Sequence, residues 1–140
     1  MLLGAAGRIS GTWRDISPEG LEIASAEGFA VLNLVVDDPK ALTNTDIKSL
    51  KLMFASAGMM IGQTNGSYGR GLISPDPTER SATIEFVKRM CGLTVLLDAP
   101  NTYIRPGSLN PKGPWLPHPE NRSDEVFHRL VDSIIQLSKT

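Results

Sequence analysis

A strand-like apolar run followed by a helical segment recurs four times along this chain, and that alternation constrains the fold more than any other feature. The first run is Leu2 to Ile9. Ser17-Pro18-Glu19 then supplies a helix start, with Ser as the cap and Pro in the first turn. Leu21, Ile23, Ala24 and Phe29 follow, and Gly28 suits the helix end. The second run, Ala30 to Val36, is almost continuously apolar and β-branched, as strands buried on both faces of a parallel sheet are. After Asp37-Asp38-Pro39, the segment Thr43-Asn44-Thr45-Asp46 fits a capping box, and Ile47, Leu50, Phe54 and Ala57 make an apolar helical face closed by Gly58.

The third strand runs from Met59 to about Thr64, and a Gly-rich loop, Asn65 to Gly71, leads to a helix start near Ser74-Pro75-Asp76-Pro77. Leu93 to Leu97 has strand propensity. Ile84, Val87, Cys91, Thr94 and Leu97 nevertheless keep helical spacing, so the helix is expected to continue to about Asp98 and to pack Cys91 inside. The fourth strand spans residues 101–105. A Pro-rich loop then runs to Asn121. Ser123 caps the last helix, whose stripe is Val126, Phe127, Leu130, Val131, Ile134 and Ile135.

Strands alternating with helices imply right-handed crossovers and a parallel sheet in an α/β fold. Two architectures fit the pattern: a doubly wound sheet, or half of a (β/α) barrel, which uses about 30 residues per unit. Four units in 140 residues suit the second. The whole of residues 1–140 is read as one domain.

Composition narrows the function. Charged residues are 21% of the chain and the net charge is -1, with no basic stripe, so nucleic acid is not an expected partner. No apolar run approaches the roughly 20 residues of a membrane helix. The apolar start, with no basic flank, reads as a buried first strand rather than a signal peptide. Cys91 is the single cysteine, which leaves no intrachain disulfide and no Cys-based metal cluster. These features point to a cytoplasmic protein, in which the sequon at Asn121 carries no glycan.

Parallel α/β folds bind ligands at the carboxyl ends of their strands. That places Arg8, Asp37, Asn65, Tyr68, Arg105, Ser108, Asn110 and His118 as candidates. Five prolines (106, 111, 114, 117 and 119) stiffen the loop after the fourth strand, and long rigid loops are usually functional. Arg105 could pair bidentately with a phosphate or carboxylate, or brace the backbone. His118 could ligate a metal, shuttle a proton or only hydrogen-bond its own loop. Trp115 is expected to pack the loop down, and His128 to lie on the surface. The Gly-rich stretch matches no phosphate-binding motif, and no HExxH or GxSxG is present.

The block Asn101-Thr-Tyr-Ile-Arg-Pro-Gly-Ser-Leu-Asn-Pro-Lys-Gly-Pro-Trp-Leu-Pro-His-Pro-Glu-Asn121 resembles a signature of a branch of the xylose isomerase-like TIM-barrel superfamily, the sugar phosphate isomerases/epimerases. Gly62 to Gly66, Glu85 to Cys91 and Ser17-Pro18-Glu19 resemble that branch more weakly. The resemblance implies the N-terminal half of a barrel, a four-unit half-barrel, and a substrate that is a small sugar or sugar phosphate. It implies Asn65, Arg105, Ser108, Asn110 and His118 as substrate-binding positions, while catalytic residues are not assigned. Family members bind a divalent metal through later strands that have no counterpart here, so no metal is expected to be held by this chain. The activity implied is proton transfer beside a carbonyl by an enzyme of which this chain is part; a non-catalytic small-molecule or protein-binding domain is the alternative. A half-barrel leaves two sheet edges and an uncovered inner face. Leu32, Leu34, Ile61 and Tyr103 are then expected to meet water, and self-association or a complementing half-barrel to cover them.

Overall fold

The computed structural model describes residues 2–7, 11–68 and 71–139. Arg8 and Ile9 of the expected first strand, and Gly69 and Arg70 of the Gly-rich loop, lie outside the described residues. Four strands, β1 (Gly4–Ala5), β2 (Val31–Val36), β3 (Met60–Gly66) and β4 (Thr102–Tyr103), form one sheet in the order β1-β2-β3-β4, all parallel. The helices are α1 (Pro18–Ala26), α2 (Asn44–Ser56), α3 (Pro77–Leu96) and α4 (Asp124–Leu137). Strands in sequential order are those of a singly wound half-barrel, because a doubly wound sheet reverses its order at a switch point. Leu93 to Leu96 is helical, as the spacing predicts.

The chain divides into two compact units, Met1–Gly66 with Met90–Tyr103, and Ser67–Arg89 with Ile104–Thr140. The first unit contains the sheet, α1, α2 and the end of α3. Ser17 and Thr43 cap α1 and α2, and Thr43 forms the reciprocal capping box with Asp46. Three helices end alike. After α1, Gly28 N–H donates to Ser25 O and Phe29 N–H to Ala24 O; after α2, Gly58 and Met59 donate to Ala55 and Phe54; after α3, Asp98 and Ala99 donate to Val95 and Thr94. This double bond through a left-handed residue is the Schellman arrangement. Gly28 and Gly58 take it at φ 90° and 67°, and Asp98 takes it at φ 55°, a conformation that costs a non-glycine residue. Lys51 offsets part of that cost, donating to Leu96 O and pairing with Asp98, a cation at the negative end of a helix.

Strand parity decides which side chains enter the core. Leu32, Leu34 and Val36 on β2, with Ile61 on β3, are buried together with Leu21, Leu50, Phe54 and Leu97 from the helices. Leu32, Leu34 and Ile61 therefore do not meet water; that expectation is corrected, because their face of the sheet is the helix-covered one. A bulge after Leu32 shifts the register so that Asn33 pairs with Gln63, Val35 with Asn65, and Tyr103 with Asn65. These residues share the other face and are half-buried or exposed, Tyr103 among them as expected. Beneath β3 and β4 a buried polar knot joins sheet to helix. The Thr94 hydroxyl donates to Met90 O at 2.6 Å and meets the Thr64 and Thr102 hydroxyls at 2.6 and 2.5 Å. With its own proton given to Met90, Thr94 accepts from the other two, so each of the three hydroxyl protons is used.

In the second unit, α4 covers the buried turn Gly71–Ile73 with Val126 and Ser133, whose hydroxyl lies 2.8 Å from Leu72 O. Ile84 and Val87 of α3 are buried, and Tyr68 meets Phe86 edge-to-face at 5.7 Å. Two further expectations are corrected, on the first strand and on Cys91. Leu2 and Leu3 are exposed, although Leu3 O accepts from Ala30 N–H next to the paired Gly4 and Ala5. In α1, Leu21 and Ala24 are buried while Ile23 is half exposed. Cys91 is exposed, on the outer face of α3.

Candidate functional site

The carboxyl ends of the strands carry the chemistry in folds of this kind. In the first unit, the sheet face opposite the helix-covered one presents Asn33 opposite Gln63 and, one row nearer the carboxyl end, Asn65 between Val35 and Tyr103. The row is neutral and rich in carboxamides, each able to donate and to accept. The Asn65 carbonyl Oδ1 is buried and has no hydrogen-bond partner among the described residues. Trp13 lies in the β1–α1 connection at the same end of the sheet, and its indole Nε1 is likewise buried and unpartnered. A lone acceptor and a lone donor in buried positions are each costly to leave unsatisfied.

Asp37, which follows β2, is committed elsewhere. Both its oxygens accept from Arg14 Nη1, at 2.7 and 2.8 Å, on an exposed rim. That hydrogen bond holds the Asp37 carboxyl below its ordinary range, against an opposing effect of desolvation. Arg14 also stacks over Trp13, 4.5 Å from the ring centre.

The other candidates lie in the second unit, and most of their polar atoms brace the Pro-rich loop. Arg105 is only 7% exposed. Its guanidinium sits 4.5 Å from the Tyr68 ring centre and 5.2 Å from that of Trp115, and Nη2 donates to Tyr68 O at 2.7 Å. The Tyr68 hydroxyl accepts from Arg105 N–H at 2.9 Å and donates to Arg105 O at 3.0 Å. Ser108, buried, donates to Leu116 O and accepts from Asn110 N–H and Asn121 Nδ2. Asn110 donates to Pro117 O and accepts from Lys112 N–H. His118 Nδ1 accepts from Glu120 N–H as the cap of a short turn. Trp115 is 70% exposed, so it does not pack the loop down, and its ring lies against the Arg105 guanidinium. His128 is exposed, as expected, with Nδ1 2.7 Å from Asp124 O. A cavity of about 310 Å³ opens among Glu79, Ser108, Asn110 and residues 111–114.

Asn33, Gln63 and Trp13 were not singled out from the sequence. Asn33 was legible: a lone carboxamide in an apolar strand marks the parity of the face opposite the helices. Gln63 depended on the bulge, and Trp13 on a turn with no sequence signature. A larger hollow, about 400 Å³, lies at the opposite end of the sheet among Phe54, Met59, Met60, Ile61 and Leu97. Met60 begins β3, so this hollow is far from the strand ends where barrels bind ligands, and its lining is mostly apolar, with Lys51 and Asp98 at its rim.

Sheet, crossovers and strand-end site together define a parallel α/β half-barrel. Solved structures share that fold, among them sugar epimerases and a putative xylose isomerase from Rhodospirillum rubrum. D-psicose 3-epimerase from Clostridium cellulolyticum H10, solved with D-tagatose, superimposes with a TM-score of 0.74 at 18% identity, over 99% of this chain and 48% of that one. The 3-keto-D-glucoside 4-epimerase of E. coli matches at TM-score 0.68 and 15% identity, over 99% and 50%. D-allulose 3-epimerase from Methylomonas sp., in complex with D-allulose, matches at 0.67 and 17%, over 99% and 46%. The chain thus spans about half the length of these structures. No protein-family model matches the sequence, and no curated protein does.

Proposed function

We propose that this chain is the sugar-binding half of an isomerase/epimerase-like barrel, taking a small sugar or sugar phosphate at the carboxyl ends of β2, β3 and β4. The observation that carries this reading is the pair of buried, unsatisfied atoms of opposite sense, Trp13 Nε1 and Asn65 Oδ1. A sugar hydroxyl accepts from one kind and donates to the other, and Asn33 and Gln63 offer the same dual chemistry. The shared fold with epimerases supports it. In the completed enzyme the reaction is proton transfer between carbons beside a carbonyl, for which this chain contributes binding and orientation. Among the described residues no three His, Cys, Asp or Glu side chains come together to hold a metal ion. These residues do not fit the family's divalent metal, and no step assigned to this chain runs through one. A complementing half-barrel belongs to the same proposal, since β1 and β4 are the edges of the sheet.

Calorimetric titration of the chain with D-tagatose, D-fructose and D-allulose tests the reading. Saturable binding is expected without turnover. Asn65→Ala is expected to weaken it by about 1 kcal/mol or more, at least fivefold. Absence of saturation for all three sugars, or affinity indifferent to Asn65→Ala, would sink it. Turnover by the chain alone would contradict the division of labour.

A further inference from the structure

We infer that α4 is a homodimer interface, through which two copies of this chain join as an antiparallel helix pair centred on Val131. On α4 the buried side is narrow: Val126 and Ser133 face the turn at residues 71–73. Phe127, Val131, Ile134 and Ile135 are 62, 36, 44 and 46% exposed. Scattered apolar side chains on a surface need no explanation. These four are not scattered, because their spacing puts them in one stripe along one face. Such a stripe is the seam of a helix–helix contact.

Charge selects the occupant and its direction. Asp124 and Glu125 are exposed at the amino end of α4, and Lys139 is exposed just past its carboxyl end. A parallel pair would set acid against acid and Lys139 against its own copy. The antiparallel pair about a twofold axis at Val131 is self-complementary. Phe127 meets the second copy's Ile135, and Asp124 comes within one residue of the second copy's Lys139. The helix dipoles oppose, which also favours this direction. A twofold contact of this kind uses one patch twice, as closed dimers do. The helix is 14 residues long, about 21 Å. A pair of that length falls near or below the about 1,200 Å² of a standard interface, so the dimer is weak, with a dissociation constant on the order of tens of micromolar.

Sedimentation velocity on the full chain, up to about 500 μM, reads the association directly. A concentration-dependent monomer–dimer equilibrium is expected. Val131→Glu sets two carboxylates against each other on the axis and is expected to weaken the dimer at least about tenfold, with the melting temperature unchanged. Because a charged variant can disturb folding, a cross-link supplies the second reading. In a Cys91→Ser background, Val131→Cys is expected to form an intermolecular disulfide readily, and Leu52→Cys, on exposed α2, is not. A monomer throughout the range, a dimer indifferent to Val131→Glu, or equal cross-linking at both positions overturns the inference; the second of these outcomes would move the contact to another surface, such as the sheet edges.

Discussion

Replacing Phe54 by Ala is expected to destabilise the first unit by about 3–5 kcal/mol, a fall in melting temperature of roughly 10 °C or more for a chain of this size. Phe54 is 2% exposed and among the largest fully buried side chains. It also lines the hollow of about 400 Å³ at the amino ends of the strands. Removing the ring enlarges a space that the packed helices have not closed, so the site cannot collapse to offset the loss. Leu52 borders the same hollow and is 68% exposed. Leu52→Ala is therefore expected to change stability by less than about 0.5 kcal/mol. Urea unfolding followed by circular dichroism measures both; comparable losses for the two variants would contradict the placement of the core.

Arg105→Ala is expected to cost the second unit about 2–4 kcal/mol, from the lost hydrogen bond to Tyr68 O and the lost stacking between Tyr68 and Trp115. Arg105→Lys is expected to recover little, because an ammonium has neither the planar face nor the fork of a guanidinium. The exposed indole of Trp115 gives a local readout: its fluorescence is expected to change in both variants as the guanidinium leaves it. A folded, unchanged Arg105→Ala protein that loses sugar affinity would assign Arg105 to the ligand rather than to the loop.

The order of elements was legible because each boundary has a local cause. Ser17, Thr43 and Ser123 cap helices by side-chain hydrogen bonds that any such sequence can make. Gly28 and Gly58 end helices because they take positive φ without strain. The end of α3 was harder, since Asp98 takes the left-handed position that Gly holds elsewhere, and what stabilises it, Lys51, is distant in sequence. Helical spacing, rather than the strand propensity of Leu93 to Leu97, was the better guide there. The faces of β2 were misread because a continuous apolar run hides its parity, and only Asn33 betrays it. Cys91 and the α4 stripe show a related limit: helical spacing tells which residues share a face, not whether another element covers that face. The candidate site was half legible. Asn65 follows from its place at a strand end. The self-bracing of Ser108 and Asn110 depends on hydrogen bonds to Leu116, Asn121 and Pro117 that spacing alone does not announce.

The proposed sugar site lies on the carboxamide-bearing face of the parallel sheet, with Asn33, Gln63 and Asn65. Side-chain amide resonances test it most directly, because Asn33, Gln63 and Asn65 each carry an NH₂ group on that face. Titration with D-tagatose is predicted to shift the Asn65 amide most, Gln63 and Asn33 next, together with the Trp13 indole N–H. The amides of Asn110 and Asn121, held within the Pro-rich loop, are predicted to stay in place. Silence at Asn65 and Trp13 at saturating sugar, or shifts confined to the hollow around Phe54 and Met60, would contradict the account.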